Sequence, residues 1–586
     1  MRLLQSIFFR ALKERRFKYR YFSIKKSNSY VSKNGSLPFS DVTVADLLDN
    51  ASDTYGGHTA LISAHQNIAK NYWELRNEAE KLASGFIACG LQKGDKIAIY
   101  SPNCYEWSLT QLAAAKSGLI LVAINYSCTP QELEYCLKKV SCKAVVSFNK
   151  LEHQDFYETF NKIIPNLRAN KAGRIQSDKF PSLEKVIMMS DENKEGTIRF
   201  KDVLESRNRE SDIALSQIKK TIQFDDPSHI LFTSGTTGYP KAAILNNQKA
   251  LNNLIRIFYR LGFDKMEPVI CCPVPFFHIF GCHIGTLGMI LSKSTTILPS
   301  ATYNYVKNLN CIEKYKCNVM YGTPTMLVDL LRRSRELQMD ISTINTIATG
   351  ASPIPESLMK DLYSSFKQPN IHVMYGLTEC GAIAQMGSDI DCETAMKGFL
   401  EPCEQTEVSF VSQLKIIDNK GFVVPKNVKG EICSRGYTTF LGYFDDKNKT
   451  AKSVDKNNWF HTGDIGIMNN KGWVKIVGRI KDMVIRGGEN IFLTEVENFL
   501  STHPAVLQVN ICGVPDERLG EELCCWIVLK PNMSLTDEDV REYCKGKISH
   551  YKIPRYVMFV EDFPKTTTGK IKKHEMTEIS KTKLSL

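Results

Sequence analysis

Between Val42 and Val477 short apolar runs alternate with segments whose apolar residues fall at helical spacing. KIAIY at 96–100 reads as a strand, the following EWSLTQLAAAKSG as a helix, and GLILVAI at 118–124 as a second, buried strand. The alternation continues through HILFTS, VICCPVPF, NYVKNLNCIEKY, NVMYG, TPTMLVDLLRRS, TINTIATG, ESLMKDLYSSF and IHVMYG. Such a pattern predicts largely parallel sheets flanked by helices, with sites at the carboxyl ends of strands. Three glycine- and hydroxyl-rich stretches do follow strands: FTSGTTG after HILF, TGAS after NTIA and GLTE after IHVMY. After Gly478 the character changes. Thr494-x-x-Glu497 has the form of a capping box opening a helix through Leu500. VLQVNICGV and ELCCWIVLK read as strands and DEDVREYCKGKI as a second helix. The fold class expected is α/β: a large N-terminal domain of sheets flanked by helices over 41–480, and a small α+β C-terminal domain over 481–586.

Composition changes this picture at one end only. The chain of 586 residues is 43% hydrophobic and 24% charged, values of a globular protein too long for one compact domain. No apolar run approaches the ~18 residues that span a bilayer, so no transmembrane segment is expected, and peripheral membrane contact stays open. The net charge is +12, yet residues 1–40 hold ten basic side chains against the single acid Glu14, and the remainder is close to neutral. Leu3, Leu4, Ile7, Phe8 and Leu12 fall near helical spacing within that segment. A basic, acid-poor amphipathic start predicts a mitochondrial transit peptide over 1–40 and hence a matrix location; a basic tail is the alternative. The positive charge therefore gives no argument for nucleic acid. Eighteen cysteines occur without a CxxC pair, so neither a zinc site nor a disulfide framework is indicated. His278, Cys282 and His283 could be ligands, but nothing nearby in sequence supplies a second half-site.

The loop Thr233, Ser234, Gly235, Thr236, Thr237, Gly238, Tyr239, Pro240, Lys241 offers backbone N–H groups and hydroxyls to an anion, and its glycines allow close approach. It is not a GxxxxGK[ST] loop, because Lys241 follows Pro240. Taken with YGLTE at 375–379, HTGD at 461–464, GRIKD at 478–482 and TTTGK at 566–570, the order of motifs resembles the adenylate-forming superfamily over roughly residues 45–580. GRIKDMVIRGGENI and YCKGKISHYKIPRY look closest to the mitochondrial medium-chain acyl-CoA synthetases.

That resemblance implies a ligase, an AMP-forming fatty acid–CoA ligase with ATP, CoA and a fatty acid as substrates and Mg²⁺ as cofactor. The implied roles are these. The loop 233–241 grips the β- and γ-phosphates, Thr378 contacts phosphate and Glu379 holds Mg²⁺ through oxygen. Gly350, Ala351, Ser352, Tyr375 and Gly376 shape the adenine slot, while Asp464 and Arg479 take the ribose. Lys570 bridges the carboxylate and the α-phosphate in the first step. The small domain then swings about Lys481, so that Gly487, Gly488 and Glu489 line the pantetheine passage. Phe277, His278, Met320, Tyr321, Gly322 and Thr323 border the acyl pocket. Lys545, Lys547 and Arg555 are candidates for the CoA phosphates. Amino-acid-activating relatives carry an aspartate where His278 stands, so a plain carboxylic acid is expected here.

Three positions depart from the family's pattern. Ala242 replaces a frequent glycine, at a cost on the order of 1 kcal/mol if its φ is positive. Tyr126 follows Asn125 where proline is common, and KGFLEPCEQTEVSF at 397–410 preserves little of the usual strand entry. The alternatives are an adenylating enzyme serving another acid or a separate carrier protein, a luciferase-like oxygenase, and a catalytically inactive ATP or acyl sensor. Loss of Lys570, Glu379 or Asp464 would mark the sensor, and all three are present. The ending Lys583-Leu584-Ser585-Leu586 is not the S-K-L peroxisomal address. Chain length of the acid and oligomeric state are not encoded in any motif.

Overall fold

The computed structural model describes residues 28–33, 37, 39–233, 240–367, 369–386, 398–402, 412–487, 489–567 and 569–586. Two large sheets carry the N-terminal part. In one, the parallel strands Lys185–Met189, Ala144–Phe148, Lys96–Tyr100, Ile120–Ile124 and Pro227–Thr233 lie side by side in that order. Lys241–Asn246 and Gly442–Tyr443 then extend that sheet antiparallel. In the other, Asn370–Leu377, Thr346–Gly350, Val319–Gly322, Val269–Cys271, Thr295–Leu298 and Thr59–Ser63 are parallel neighbours with antiparallel strands at both edges.

The strands are the apolar runs of the sequence, buried on both faces because helices cover them. Helix Tyr105–Ser117 is almost wholly buried and ends on Gly118 in the left-handed conformation (φ 67°), which only glycine adopts without strain. Adjacent cysteines such as Cys271 and Cys272, and Cys524 and Cys525, are core side chains as expected.

A third, antiparallel sheet runs Tyr30–Lys33, Ser412–Ile417, Gly430–Arg435, Phe460–Met468, Val474–Arg479. Its first strand corrects an expectation. Residues 1–40 do not all lie outside the fold, since Tyr30–Lys33 pairs with Ser412–Ile417 and buried Ser29 donates to the carbonyl oxygen of Pro425. Backbone pairing explains it: without this strand the Ser412–Ile417 edge would present unpaired N–H and C=O groups. The N-terminal residues 1–27 lie outside the described residues.

The C-terminal part has its own sheet, Glu489–Phe492, Met483–Arg486, Gly520–Leu529 and Val506–Asp516, with Tyr556–Phe559 parallel to Gly520–Leu529. Separate hydrophobic clusters fill the two parts, with Val474 and Ile476 on one side and Val484 on the other. The capping box expected at Thr494 is absent: the helix is Leu493–Leu500, its N-cap is Phe492, and no side chain caps it. Glu497 instead accepts from the N–H of Ile511 and pairs with Lys573 at 2.5 Å, tying the helix to the sheet and to helix Lys573–Leu584. A tertiary partner outcompetes the local one.

Candidate functional site

The strand Pro227–Thr233 ends at Thr233, and Ser234, Gly235, Thr236, Thr237, Gly238 and Tyr239 lie outside the described residues. The chain returns after Pro240 on Lys241–Asn246, where Thr233 stands opposite Lys241 and Phe232 opposite Ala242. Ala242 is buried in this strand without positive φ, so the cost expected for it does not arise.

The next strand brings in Tyr443. Its hydroxyl accepts from Lys241 Nζ at 3.0 Å and donates to Glu379 Oε1 at 2.7 Å; Thr233 Oγ1 donates to the same oxygen at 3.4 Å. Glu379, only 6% exposed, stands with half-buried Thr378 in the turn after Asn370–Leu377. Burial lowers the Lys241 pKa, and Glu379 opposes that shift. Burial, then Glu379, raises that of Tyr443. The Lys241 ammonium also lies 4.6 Å from the Tyr443 ring centroid. A cation, a phenol, a carboxylate and a hydroxyl thus converge on either side of residues 234–239.

On the neighbouring sheet, Gly350 lies opposite Met374, one residue before Tyr375. A Cβ on Gly350 would sit 2.6 Å from the Met374 carbonyl oxygen, and one on Gly376 would sit 2.0 Å from that of Gly381. Ala351 takes φ 73°, a conformation costing an alanine about 1 kcal/mol, and half-buried Ser352 follows it. The strand ends are thus packed backbone to backbone around Tyr375.

The Tyr375 hydroxyl donates to Asp464 Oδ2 at 2.8 Å, and Arg479 Nε pairs with Asp464 Oδ1 at 2.8 Å. Asp464 and Arg479 are register partners of one antiparallel hairpin, which brings HTGD and GRIKD side by side. Asp464 is 3% exposed; burial raises its pKa, and Arg479 opposes the rise. The turn before it is fixed by Glu431, which accepts from His461 Nδ1 at 2.9 Å and from the N–H of Gly463 (φ 70°) at 3.1 Å.

Lys570 arrives from the C-terminal part on a loop closed by its own backbone. Thr566 N–H donates to the Lys570 carbonyl oxygen at 2.7 Å, and Gly569 turns at φ 78°. The loop docks through Thr567 Oγ1 on Asn125 Oδ1 (3.3 Å) and through the Gly569 carbonyl oxygen on Thr325 Oγ1 (3.4 Å). Burial, then the charge of Arg479, brings the Lys570 pKa down to about 8, while Asp464 and Glu379 pull it up. Burial, then Lys570, holds His278 down at about 3, so its imidazole is neutral. His278 Nδ1 accepts from the N–H of Phe280 at 3.3 Å, which assigns the ring proton to Nε2. Lys570 therefore lies within electrostatic reach of Glu379, the Asp464–Arg479 pair and His278 together.

Phe277 meets Tyr126 edge to face at 5.7 Å, so the unexpected Tyr126 packs against the segment expected to border the acyl pocket. Met320, Tyr321 and Gly322 are buried in Val319–Gly322, followed by buried Thr323; among the described residues the Tyr321 hydroxyl has no hydrogen-bond partner. A surface groove of about 470 Å³ lined by Asn67, Lys70, Glu78 and Tyr105 shares none of these residues.

Lys481 is exposed in a 3₁₀ turn, Ile480–Asp482, between the last strand of the third sheet and the first of the C-terminal sheet. Gly487 turns at φ 58° and Glu489 is exposed, on a hairpin paired within the C-terminal sheet; Gly488 lies outside the described residues. Of the basic groups expected at CoA phosphates, Lys545 pairs with Glu542 and Arg555 with Asp516. Lys547 lies 4.0 Å from the Tyr543 ring centroid. Of the stretch 397–410, positions 397 and 403–410 lie outside the described residues.

Tyr443 is the residue that motif reading missed. The tripeptide Gly442-Tyr443-Phe444 carries no local signal, and only its pairing beside Lys241–Asn246 brings the hydroxyl between Lys241 and Glu379.

A family model described as AMP-binding enzyme matches residues 48–444, and one described as AMP-binding enzyme C-terminal domain matches residues 495–570. The chain is 38% identical over 562 residues to the medium-chain acyl-CoA ligase ACSF2, mitochondrial, of Danio rerio, covering 96% of this chain and 92% of that one. It is 36% identical to the Homo sapiens protein of the same name, covering 95% and 91%. To the putative acyl-CoA synthetase YngI of Bacillus subtilis it is 34% identical, covering 92% and 96%. Among solved structures, the anthranilate CoA ligase AuaEII in complex with anthranoyl-AMP superposes with a TM-score of 0.78 at 22% identity, covering 94% of this chain and 99% of that one. ATP-bound MatB from Rhodopseudomonas palustris gives 0.77 at 23%, covering 92% and 99%. These two likenesses concern the fold.

Proposed function

The chain belongs to the AMP-binding enzyme family, and on that premise we propose that it activates a medium-chain fatty acid in mitochondria. It is an AMP-forming acyl-CoA synthetase, an acid–thiol ligase. The carboxylate oxygen attacks the α-phosphorus of ATP and displaces pyrophosphate, and the thiol of CoA then attacks the acyl carbonyl and displaces AMP.

The observation carrying the residue assignments is that the Lys570 loop of the small domain docks on Asn125 and Thr325, within electrostatic reach of Glu379, Asp464–Arg479 and His278. In the first step the Lys570 ammonium draws two anions together, a substrate carboxylate and an α-phosphate that repel each other in water. Neutral His278 offers its Nε2–H on the acyl side without adding charge. Asp464 accepts the ribose hydroxyls beside Arg479, and the strand ends at Gly350, Ala351, Ser352, Tyr375 and Gly376 receive the adenine. The loop 233–241 holds the outer phosphates with Thr378.

Glu379 fits Mg²⁺: it is a buried hard-oxygen donor, oriented through Oε1 by Tyr443 and Thr233, next to the cation Lys241 that shares the phosphate charge. Bound there, the ion would neutralise phosphate charge. For the second step, rotation about Lys481 withdraws Lys570 and brings Gly487, Gly488 and Glu489 to the pantetheine passage. The division of hydrophobic clusters between Ile476 and Val484 supports separate movement of residues 481–586.

A medium-chain substrate and a mitochondrial matrix location rest on the named relatives and on the basic, amphipathic N-terminal segment. The transit peptide would end before Asn28, where the sheet pairing begins.

Purified protein is given ATP, Mg²⁺ and fatty acids from C2 to C18, with and without CoA, and AMP and acyl-CoA are followed. CoA-dependent AMP peaking near C8 is expected. Acyl-adenylate without thioester would replace CoA by a carrier or an oxidative fate. No AMP with any acid would overturn the reading in favour of a sensor. Residues 1–27 fused to a reporter should direct it to mitochondria; a diffuse cytosolic signal refutes that location.

A further inference from the structure

The third sheet is irregular where it delivers Asp464. Along the paired strands Gly430–Arg435 and Phe460–Met468, Cys433 stands opposite His461 and Glu431 opposite Ile465. Ile432 alone therefore faces three residues, Thr462, Gly463 and Asp464. This is an enlarged β-bulge, and Gly463 turns it at φ 70°, a conformation that glycine adopts without strain. A bulge bends its strand and re-aims the side chains upon it. The side chain at the end of this one is Asp464, held between the Tyr375 hydroxyl at 2.8 Å and Arg479 Nε at 2.8 Å.

Bulged residues leave the regular ladder, so their N–H groups need other acceptors. Thr462 Oγ1 donates to the Ile432 carbonyl oxygen at 2.7 Å and accepts from the Asp464 N–H at 3.0 Å. The Gly463 N–H donates to Glu431 Oε1 at 3.1 Å. The other oxygen of the same carboxylate, Oε2, accepts from His461 Nδ1 at 2.9 Å. Glu431 thus grips the opposite strand on both sides of Thr462. Its side chain is only 19% exposed, so this charge-assisted bond to a backbone N–H is shielded from competing water. Beyond it, His461 Nε2 lies 3.8 Å from Asp455 Oδ2, which backs the imidazole from the far side.

On the reading that Asp464 accepts the ribose hydroxyls, we propose that Glu431, clamped by His461, is a positioning residue that aims Asp464 at them. It thereby sets the discrimination against nucleotides that lack those hydroxyls. Glu431 touches no substrate in this role and acts through the Gly463 peptide. The aim tolerates little slack, because Asp464 must serve Tyr375, Arg479 and the sugar at once, and a hydrogen bond weakens steeply with misalignment. Without Glu431 Oε1 the Gly463 peptide is free to turn toward water, and the carboxylate one residue on turns with it. A well-aimed carboxylate left unpaired by a deoxy sugar rejects that sugar; a misaimed one gains nothing from the hydroxyl and loses nothing without it. A bulge serving the sheet alone would use the same bonds, and the sugar is what separates the two roles.

Binding of ATP and of 2′,3′-dideoxyATP to the full chain is measured by calorimetry with Mg²⁺ and no fatty acid, so the readout needs no turnover. The parent chain is expected to prefer ATP by at least about tenfold. Glu431→Ala should bind ATP at least about tenfold more weakly and the dideoxy analogue within about threefold of the parent, so the preference disappears. Glu431→Gln should restore most of it, because the amide oxygen still accepts from Gly463 while its NH₂ donates to the other tautomer of His461. His461→Phe keeps a ring and removes only the donor, so the preference should fall by about threefold or more. That variant decides the matter should Glu431→Ala fail to fold. Equal weakening of both ligands in Glu431→Ala, or no weakening of either, overturns the proposal. A parent chain that binds both ligands alike overturns the ribose assignment of Asp464 and the proposal with it, so the parent's own preference tells the two failures apart.

Discussion

Replacing Tyr443 by phenylalanine isolates one hydroxyl. The ring stays, and with it the edge contact to Phe440 at 4.8 Å and the Lys241 ammonium at 4.6 Å. What disappears is the 2.7 Å hydrogen bond to Glu379 and the 3.0 Å bond from Lys241. A hydrogen bond to a charged group contributes about 1.5–3 kcal/mol. If the bond to Glu379 is expressed fully when ATP is gripped and pyrophosphate leaves, kcat/KM for ATP falls about 10- to 150-fold, a factor of ten for each ~1.4 kcal/mol. ATP–pyrophosphate exchange measures this step alone, and thioester formation from supplied acyl-adenylate serves as the control. The melting temperature should change by no more than a few degrees, since no apolar contact is lost. A fall of less than about threefold in exchange, or an equal fall in both half-reactions, would refute the claim that Tyr443 orients Glu379 toward the phosphates.

Lys570→Ala should reduce adenylation by roughly 10²–10³-fold, the cost of losing one preorganised charged donor, and leave the thioester step from acyl-adenylate near its parent rate; equal losses refute the two-step assignment. Because the Lys570 pKa is held at about 8 and only the ammonium bridges two anions, kcat/KM for adenylation should decline as pH rises through about 8. The residual activity of Lys570→Ala should show no such limb, and a parent profile flat to pH 10 would count against it. Gly487→Leu should spare pyrophosphate exchange and depress thioester formation; its positive φ (58°) adds about 1 kcal/mol of strain, to be separated by the denaturation midpoint. Gly376→Ala would place a Cβ 2.0 Å from the Gly381 carbonyl oxygen, so it should destabilise by about 1–3 kcal/mol and weaken ATP binding; an unchanged midpoint would mean the strand end yields freely.

The strands and helices were legible because each lies in one apolar period: Lys96–Tyr100, Tyr105–Ser117 and Ile120–Ile124 follow the pattern of the sequence closely. The site motifs were legible for a related reason. Phosphate, ribose and carboxylate demand particular groups on strand-end loops, and a glycine, a hydroxyl or a lysine at a fixed offset records that demand locally. Thr494 and Glu497 show where local reading fails, since the capping pair was displaced by Ile511 and Lys573 from 14 and 76 residues away.

Residue identity and order alone therefore determined the fold class, the family resemblance and the positions of Lys570, Glu379, Asp464 and Arg479. Long-range pairing decided the rest. Tyr443 reaches Glu379 across 64 residues only because Gly442–Tyr443 joins the sheet beside Lys241–Asn246. Residues 30–33 belong to the fold only because the edge at Ser412–Ile417 takes them up. Glu431 meets Gly463 and His461 only because two strands distant in sequence lie side by side in one sheet. Periodicity and motif spacing encode short separations along the chain, whereas hydrogen bonds, burial and charge act through space.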